Sequence, residues 1–313
     1  MEITSGLNDS QYRVYLDKIT KSVRDLRSTD IDSHLFVHQM VSISKLLSSL
    51  HRKLDKPYPG IDKNAQDPSY FIAAYFDTAN IGKAILVYRI VRSLARIILL
   101  FDRFYETGND EYSILAKQVR ESLTEFLKAE NSVHHLIYSM DYWLKQFSAF
   151  WEFEQITKHR IIDNSTFSFS EIRHFNLSKS SDASLVYSKV LDAMLPTFNE
   201  NVSLILHYNQ ALLDIQDDWE DIENDIQADM PNIFVMAAVN YVPYDKIKES
   251  SPEMIRKVVL SRTNSSEGTL GKLVREINEL SKDVPVPNSF RFLQSLSSRY
   301  ADTMRRTIFT PNF

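Results

Sequence analysis

Glycine is nearly absent from this chain: six in 313 residues, alongside only ten prolines. Sharp reversals between strands lean on both residues, so a chain this poor in them has few places to turn tightly. Long helices with few connections suit such a sequence, and the expected fold class is all-α. Apolar residues recur at helical spacing over about 8–28, 32–53, 69–106 (continuous or broken at Gly82), 111–128, 131–160, 181–197 and 199–228, with a last long helix over about 289–307. The breaks have local causes. Residues 56–68 carry three prolines and a glycine, and Gly108 suits a left-handed helix cap. The Ser/Thr/Asn-rich run 163–170 reads as a flexible lid, and two prolines in 283–288 mark the final break. No repeat and no long linker divides the chain, so residues 1–313 are expected to form a single domain.

Hydrophobic residues at 43% provide ample material for a core. A net charge of −5 gives no reason to expect nucleic acid, whose recognition relies on clustered Lys and Arg. Without cysteine there is no disulfide or thiol chemistry, which fits a cytoplasmic protein. The first residues lack the basic and apolar regions of a signal peptide. The most apolar stretch, 84–101, is interrupted by Arg89, Arg92 and Arg96, so it reads as a core helix and no transmembrane segment is expected.

The most informative run is 212–232. Asp214, Asp217, Asp218, Asp221 and Asp225 are spaced i, i+3, i+4, i+7 and i+11. On one continuous helix they fall within an arc of about 100°, with Ile215, Trp219, Ile222 and Ile226 nearly opposite. Like charges aligned in this way repel, and no Lys or Arg on the stripe offsets them. Two readings follow: a solvated acidic face, or a site for a hard divalent cation, which prefers carboxylate oxygen and bridges it to phosphate.

Ile215-Gln216-Asp217-Asp218-Trp219-Glu220-Asp221 resembles the second aspartate-rich motif of trans-prenyltransferases. The same run is similar to the longer metal motif of class I terpene synthases, N/D-D-x-x-S/T/D-x-x-x-E/D. In that register Asp217, Asp218, Asp221 and Asp225 take the metal positions and Asn232 matches a following Asn. A third register, from Asp214 to Asp218, resembles the motif of squalene and phytoene synthases. All three belong to the class I isoprenoid-synthase superfamily.

That resemblance implies a helical bundle around a central pocket, with two or three Mg²⁺ ions held by two acidic clusters on facing helices. The partner cluster it points to is Asp102 and Glu106, at the end of a helix, although Phe101 stands where the family usually has an aspartate. Asp77 and Asn80 resemble a rival first motif. On one unbroken helix Asp77 and Asp102 lie about 37 Å apart and cannot share a metal cluster. Diphosphate-binding groups implied by the resemblance are Arg173, in an expected hinge, Lys179, at the expected start of a helix, and Arg299 with Tyr300. The expected metal ligands are Asp102, Glu106, Asp214, Asp217, Asp218, Asp221 and Asp225, with Asp217, Asp218 and Asp221 central to catalysis. Aromatic residues form 12% of the chain and suit an apolar cavity that shields a carbocation. The implied activity is Mg²⁺-dependent ionisation of an allylic prenyl diphosphate, followed by cyclisation, rearrangement or quenching. The alternatives are chain elongation or head-to-head coupling, and a non-catalytic helical partner protein of the same fold. A homodimer is compatible with each.

Overall fold

A computed structural model describes residues 9–27, 29, 34–54, 81–195, 198–250 and 268–309. The loop at 56–68 and the rival motif residues Asp77 and Asn80 lie outside the described residues. Among the described residues thirteen α-helices run in order: α1 Asp9–Arg27, α2 His34–Leu54, α3 Ile81–Thr107, α4 Asp110–Ala129, α5 Leu136–Ile162, α6 Phe169–Lys179, α7 Ser188–Met194, α8 Glu200–Glu220, α9 Ile222–Gln227, α10 Ile233–Ala238, α11 Tyr244–Lys248, α12 Thr269–Asp283 and α13 Arg291–Thr307. A π-helical turn, Ala183–Tyr187, precedes α7, and a 3₁₀ turn, Asn288–Phe290, precedes α13. Among the described residues there is no strand, and the fold is all-α. No helix among them is long and apolar enough to cross a membrane.

The chain folds as two compact units. The first takes its residues from 1–142, 186–199 and 287–292, and the second from 143–185, 200–286 and 293–313. In the first unit α3 packs on α4, α7, α1 and α2. Its helix is apolar on most of its circumference: Ile90, Val91, Leu94, Ile97, Ile98 and Leu100 are all buried. Arg92 and Arg96 are buried among them, and Arg89 lies over the Phe126 ring of α4 at 4.1 Å. The three arginines are thus accommodated inside a helical core, as expected for 84–101. Gly108 ends α3 with φ +66° and an N–H donated to the Phe104 carbonyl at 2.8 Å. That is the left-handed cap expected of it.

In the second unit α8 packs on α6, α9, α10 and α12. Asn209, Ser281 and Ser297 form a buried polar layer across α8, α12 and α13. Asn209 donates to the Leu293 carbonyl at 3.1 Å, Ser297 donates to Asn209 Oδ1 at 3.0 Å, and the two serine hydroxyls are 2.6 Å apart. Satisfied polar groups in a core fix register, because any slip leaves them unpaired.

Residues 163–168, expected as part of a lid, are tied down instead. Asn240 accepts from the Phe167 N–H at 2.7 Å and donates to the Phe167 carbonyl at 2.8 Å. Asn164, at φ 56°, accepts from the Tyr244 N–H at 2.5 Å, and Arg160 lies over the buried Phe167 ring at 4.5 Å. The segment then enters α6 through a capping box. Ser168 accepts from the Glu171 N–H, and Glu171 accepts from the Ser168 N–H at 2.8 Å. Asn240→Ala is expected to cost about 2 kcal/mol by leaving two main-chain groups of Phe167 unpaired. Melting temperature and the rate of limited proteolysis within 163–168 check this; an unchanged cleavage rate means the pin is idle.

Candidate functional site

The aspartate stripe sits where α8 meets α6, and most of it is not solvated. Asp214 and Asp218 are 7% and 2% exposed, Asp217 and Asp225 are half-buried, and Asp221 is exposed. A plain acidic surface face is therefore excluded for the first two. Both oxygens of Asp214 are engaged: Ser180 donates to Oδ2 at 2.5 Å and Gln210 to Oδ1 at 2.8 Å. The Lys179 ammonium meets Asp218 Oδ1 at 2.5 Å, and the Ile233 N–H donates to Asp218 Oδ2 at 2.9 Å. Asn176, one turn before Ser180, donates to the Ala211 carbonyl and keys α6 against α8.

The stripe is not on one continuous helix, as the sequence had suggested. α8 stops at Glu220 and the chain bends at Asp221 before α9. Asn232 braces this bend: it is fully buried and donates to the Asp218 carbonyl at 2.6 Å and to Asp225 Oδ2 at 2.8 Å, on either side of Asp221. Its own Oδ1 accepts from the Phe234 N–H at 2.9 Å and caps α10. The i→i−4 pairing survives across the bend, with the Asp221 N–H on the Asp217 carbonyl and the Asp225 N–H on the Asp221 carbonyl. Asp217, Asp221 and Asp225 thus follow one another along a line at i, i+4 and i+8.

The charges interact strongly. Burial, then the neighbouring Asp214 charge, pushes the Asp217 carboxyl up to about 7. Burial and Asp218 push Asp225 to about 7 against its Asn232 hydrogen bond. Burial also raises Asp214, against Lys179, Ser180 and Gln210. For Lys179, burial works against the ammonium, but Asp218, Asp214 and Asp225 outweigh it and hold its pKa well above the usual lysine value. Carboxyls raised in the folded state keep protons that the unfolded chain has released, so stability falls as pH rises from the unfolded value near 4 through about 7. The melting temperature is expected to be higher at pH 5 than at pH 8, and Asp225→Asn should flatten that slope. An equal slope in the variant would remove Asp225 from the cause.

The other expected residues are distributed as follows. Arg173 is on α6, not in a hinge, and its Nε meets Glu276 of α12 at 2.7 Å. Lys179 is the last residue of α6, not the first of the following helix. Arg299 and Tyr300 are half-buried on α13. Asp102 and Glu106 belong to the first unit, on the last turns of α3, where Glu106 pairs with Arg103 at 2.7 Å. Sequence reasoning missed Gln210, whose place four residues before Asp214 on the same helix face is the clue that was there to read.

Among the described residues, no three His, Asp or Glu side chains already converge as a metal cage. Mg²⁺ asks for less: one or two carboxylates, completed by water and phosphate oxygens. The all-oxygen set Asp217, Asp221 and Asp225 is of the type that hard cation takes, with Asn224 donating to Asp221 Oδ1 at 3.3 Å and Asn232 to Asp225 Oδ2, whereas Asp214 and Asp218 spend both oxygens on protein donors. No protein-family model matches this chain, and neither curated proteins nor solved structures give a match.

Proposed function

We propose that the chain is a Mg²⁺-dependent, terpene synthase-like enzyme that ionises an allylic prenyl diphosphate and then cyclises, rearranges or quenches the carbocation. The observation that carries this reading is the division of labour within the stripe. Lys179 and Ser180 neutralise and fix Asp218 and Asp214 inside the α6–α8 packing. Asp217, Asp221 and Asp225 follow at i, i+4 and i+8, three of the four positions of the longer terpene-synthase motif, with one oxygen of Asp221 held by Asn224 and one of Asp225 by Asn232.

Asp217, Asp221 and Asp225 would hold the metal, which supplies Lewis-acid stabilisation of the departing diphosphate when bound. Lys179, 29% exposed at its side chain, offers an ammonium to diphosphate oxygens from beside the same cluster. Asn232 and Ser180 keep the carboxylates in place by holding the main chain of α8 and the side chain of Asp214. The part of Asp102 and Glu106 in this reading comes from the resemblance.

A second reading, a non-catalytic helical protein, is favoured by the same internal satisfaction of Asp214 and Asp218, which a purely structural network also explains. Incubation with geranyl, farnesyl and geranylgeranyl diphosphates plus Mg²⁺, with and without isopentenyl diphosphate, separates these. Hydrocarbon or alcohol formed without isopentenyl diphosphate is the expected result. Longer diphosphates formed only with it would replace the synthase reading by chain elongation. Absence of turnover, with no stabilisation by pyrophosphate and Mg²⁺, would leave the non-catalytic reading.

A further inference from the structure

We propose that the outward stripe of α5 docks against the same stripe of a second copy of this chain, the two helices running antiparallel about a two-fold axis at Ala149. The pairing is independent of what the aspartate stripe of α8 binds.

α5 is one unbroken helix, Leu136–Ile162. Much of its circumference is covered: Met140, Phe147, Phe150, Trp151 and Ile161 are buried. What faces outward is narrow. Tyr138, Tyr142, Lys145, Ala149, Glu152 and Ile156 recur at alternating steps of four and three residues, and every one is exposed. That alternation is the seam by which one helix packs along another. A solvated helix face ordinarily carries charged or polar side chains. Here Tyr138 is 81%, Tyr142 61% and Ile156 59% exposed.

The charges say what covers the seam. Lys145 and Glu152 lie two helical turns apart, about 10 Å of rise, beyond the pairs a helix makes at three or four residues. Among the described residues neither has an ion-pair partner in its own chain. Outward from Ala149 the stripe carries Lys145 then Tyr142 one way, and Glu152 then Ile156 the other. A two-fold axis at Ala149 therefore sets Lys145 opposite Glu152 of the other copy, twice, and Tyr142 opposite Ile156 of the other copy, twice. Ala149 meets its own counterpart, where a small side chain lets the helices approach. Tyr138 then lies over the last turns of the other helix. A parallel pair in register would instead set each charge against its own kind. An isologous contact demands this self-complementarity, which an unrelated protein would not need. The seam is a single helix wide, at the small end of stable interfaces, so the dimer is expected to dissociate in the micromolar range.

Sedimentation velocity of the full chain from about 1 to 100 μM reads the association. The unaltered chain should pass from monomer to dimer within that range. Lys145→Glu alone and Glu152→Lys alone each set like charges opposite one another twice, and each should weaken the dimer at least about tenfold. The chain carrying both changes has opposite charges facing again and should recover the original affinity within about threefold. An equal mixture of the two single variants should form a heterodimer. Both positions are exposed, and circular dichroism checks that the helices are kept. If either variant does not fold, Ala149→Glu sets a carboxylate against its own copy at the axis and should abolish association.

A chain that stays monomeric at about 100 μM overturns the proposal and leaves the seam to a different protein or a lipid surface. A dimer indifferent to the charge reversals also overturns it, because that dimer forms elsewhere. Loss in both single variants without recovery in the double variant or the mixture overturns the antiparallel pairing.

Discussion

Replacing Asn232 with alanine should lower stability by about 3 kcal/mol, roughly 5 °C in melting temperature for a chain of this length. Three interactions vanish together. The amide that bonds the Asp218 carbonyl and Asp225 is lost, and so is the cap that accepts the Phe234 N–H. Loss of an N-cap alone costs about 1 kcal/mol, and a buried carbonyl left without a donor adds about 1–3 more. Asn232→Asp makes the comparison sharper. It keeps the oxygen that caps α10 but removes the donor and sets a carboxylate against Asp225, so it should be at least as unstable as the alanine variant. Thermal melts by circular dichroism check both. A drop of under about 2 °C for the alanine variant would mean that the bend is held by something other than Asn232.

Helix content was legible because glycine scarcity and apolar periodicity act locally, on every turn. Arg89, Arg92 and Arg96 were correctly read as part of a core helix for the same reason: the apolar residues around them keep helical spacing, and Arg92 and Arg96 are buried with them. The helix α6 was missed because Ser, Thr and Asn around 163–170 read as a loop, although Ser168 and Glu171 carry the capping-box spacing. Once α6 is in place, Lys179 becomes its last residue and Arg173 a helical one, which the lid reading had put elsewhere.

Alignment of the aspartates was likewise legible, but their burial was not. Spacing on one helix says which side chains share a face; it cannot say what covers that face. Lys179 meets Asp218 across 39 residues of sequence, and Asn232 reaches back 14 to the Asp218 carbonyl beside the bend at Asp221. Contacts of that range are fixed by packing, so the split between Asp214 and Asp218 on one side and Asp217, Asp221 and Asp225 on the other emerges only in the folded chain.

That split makes Asp217 the residue at which function and stability should separate. Asp217→Asn is expected to reduce product formation from a prenyl diphosphate by at least about 100-fold, the scale on which metal affinity and activity respond to altered metal surroundings. The same change should leave the melting temperature at pH 8 equal or raise it. Its carboxyl is pushed to about 7 by burial and by Asp214, so ionisation above that pH is disfavoured in the folded state, and a neutral amide of the same shape removes the repulsion. Asp218→Asn gives the opposite pattern in stability. It strips Lys179 of its partner and weakens the α6–α8 contact, so any loss of activity there mixes structure with chemistry. The two variants measured side by side therefore carry more than either alone. If Asp217→Asn turns over substrate within about threefold of the unaltered chain, the metal does not use this carboxylate. If instead the variant melts well below the unaltered chain at pH 8, Asp217 holds the fold as Asp218 does, and the line at i, i+4 and i+8 is structural.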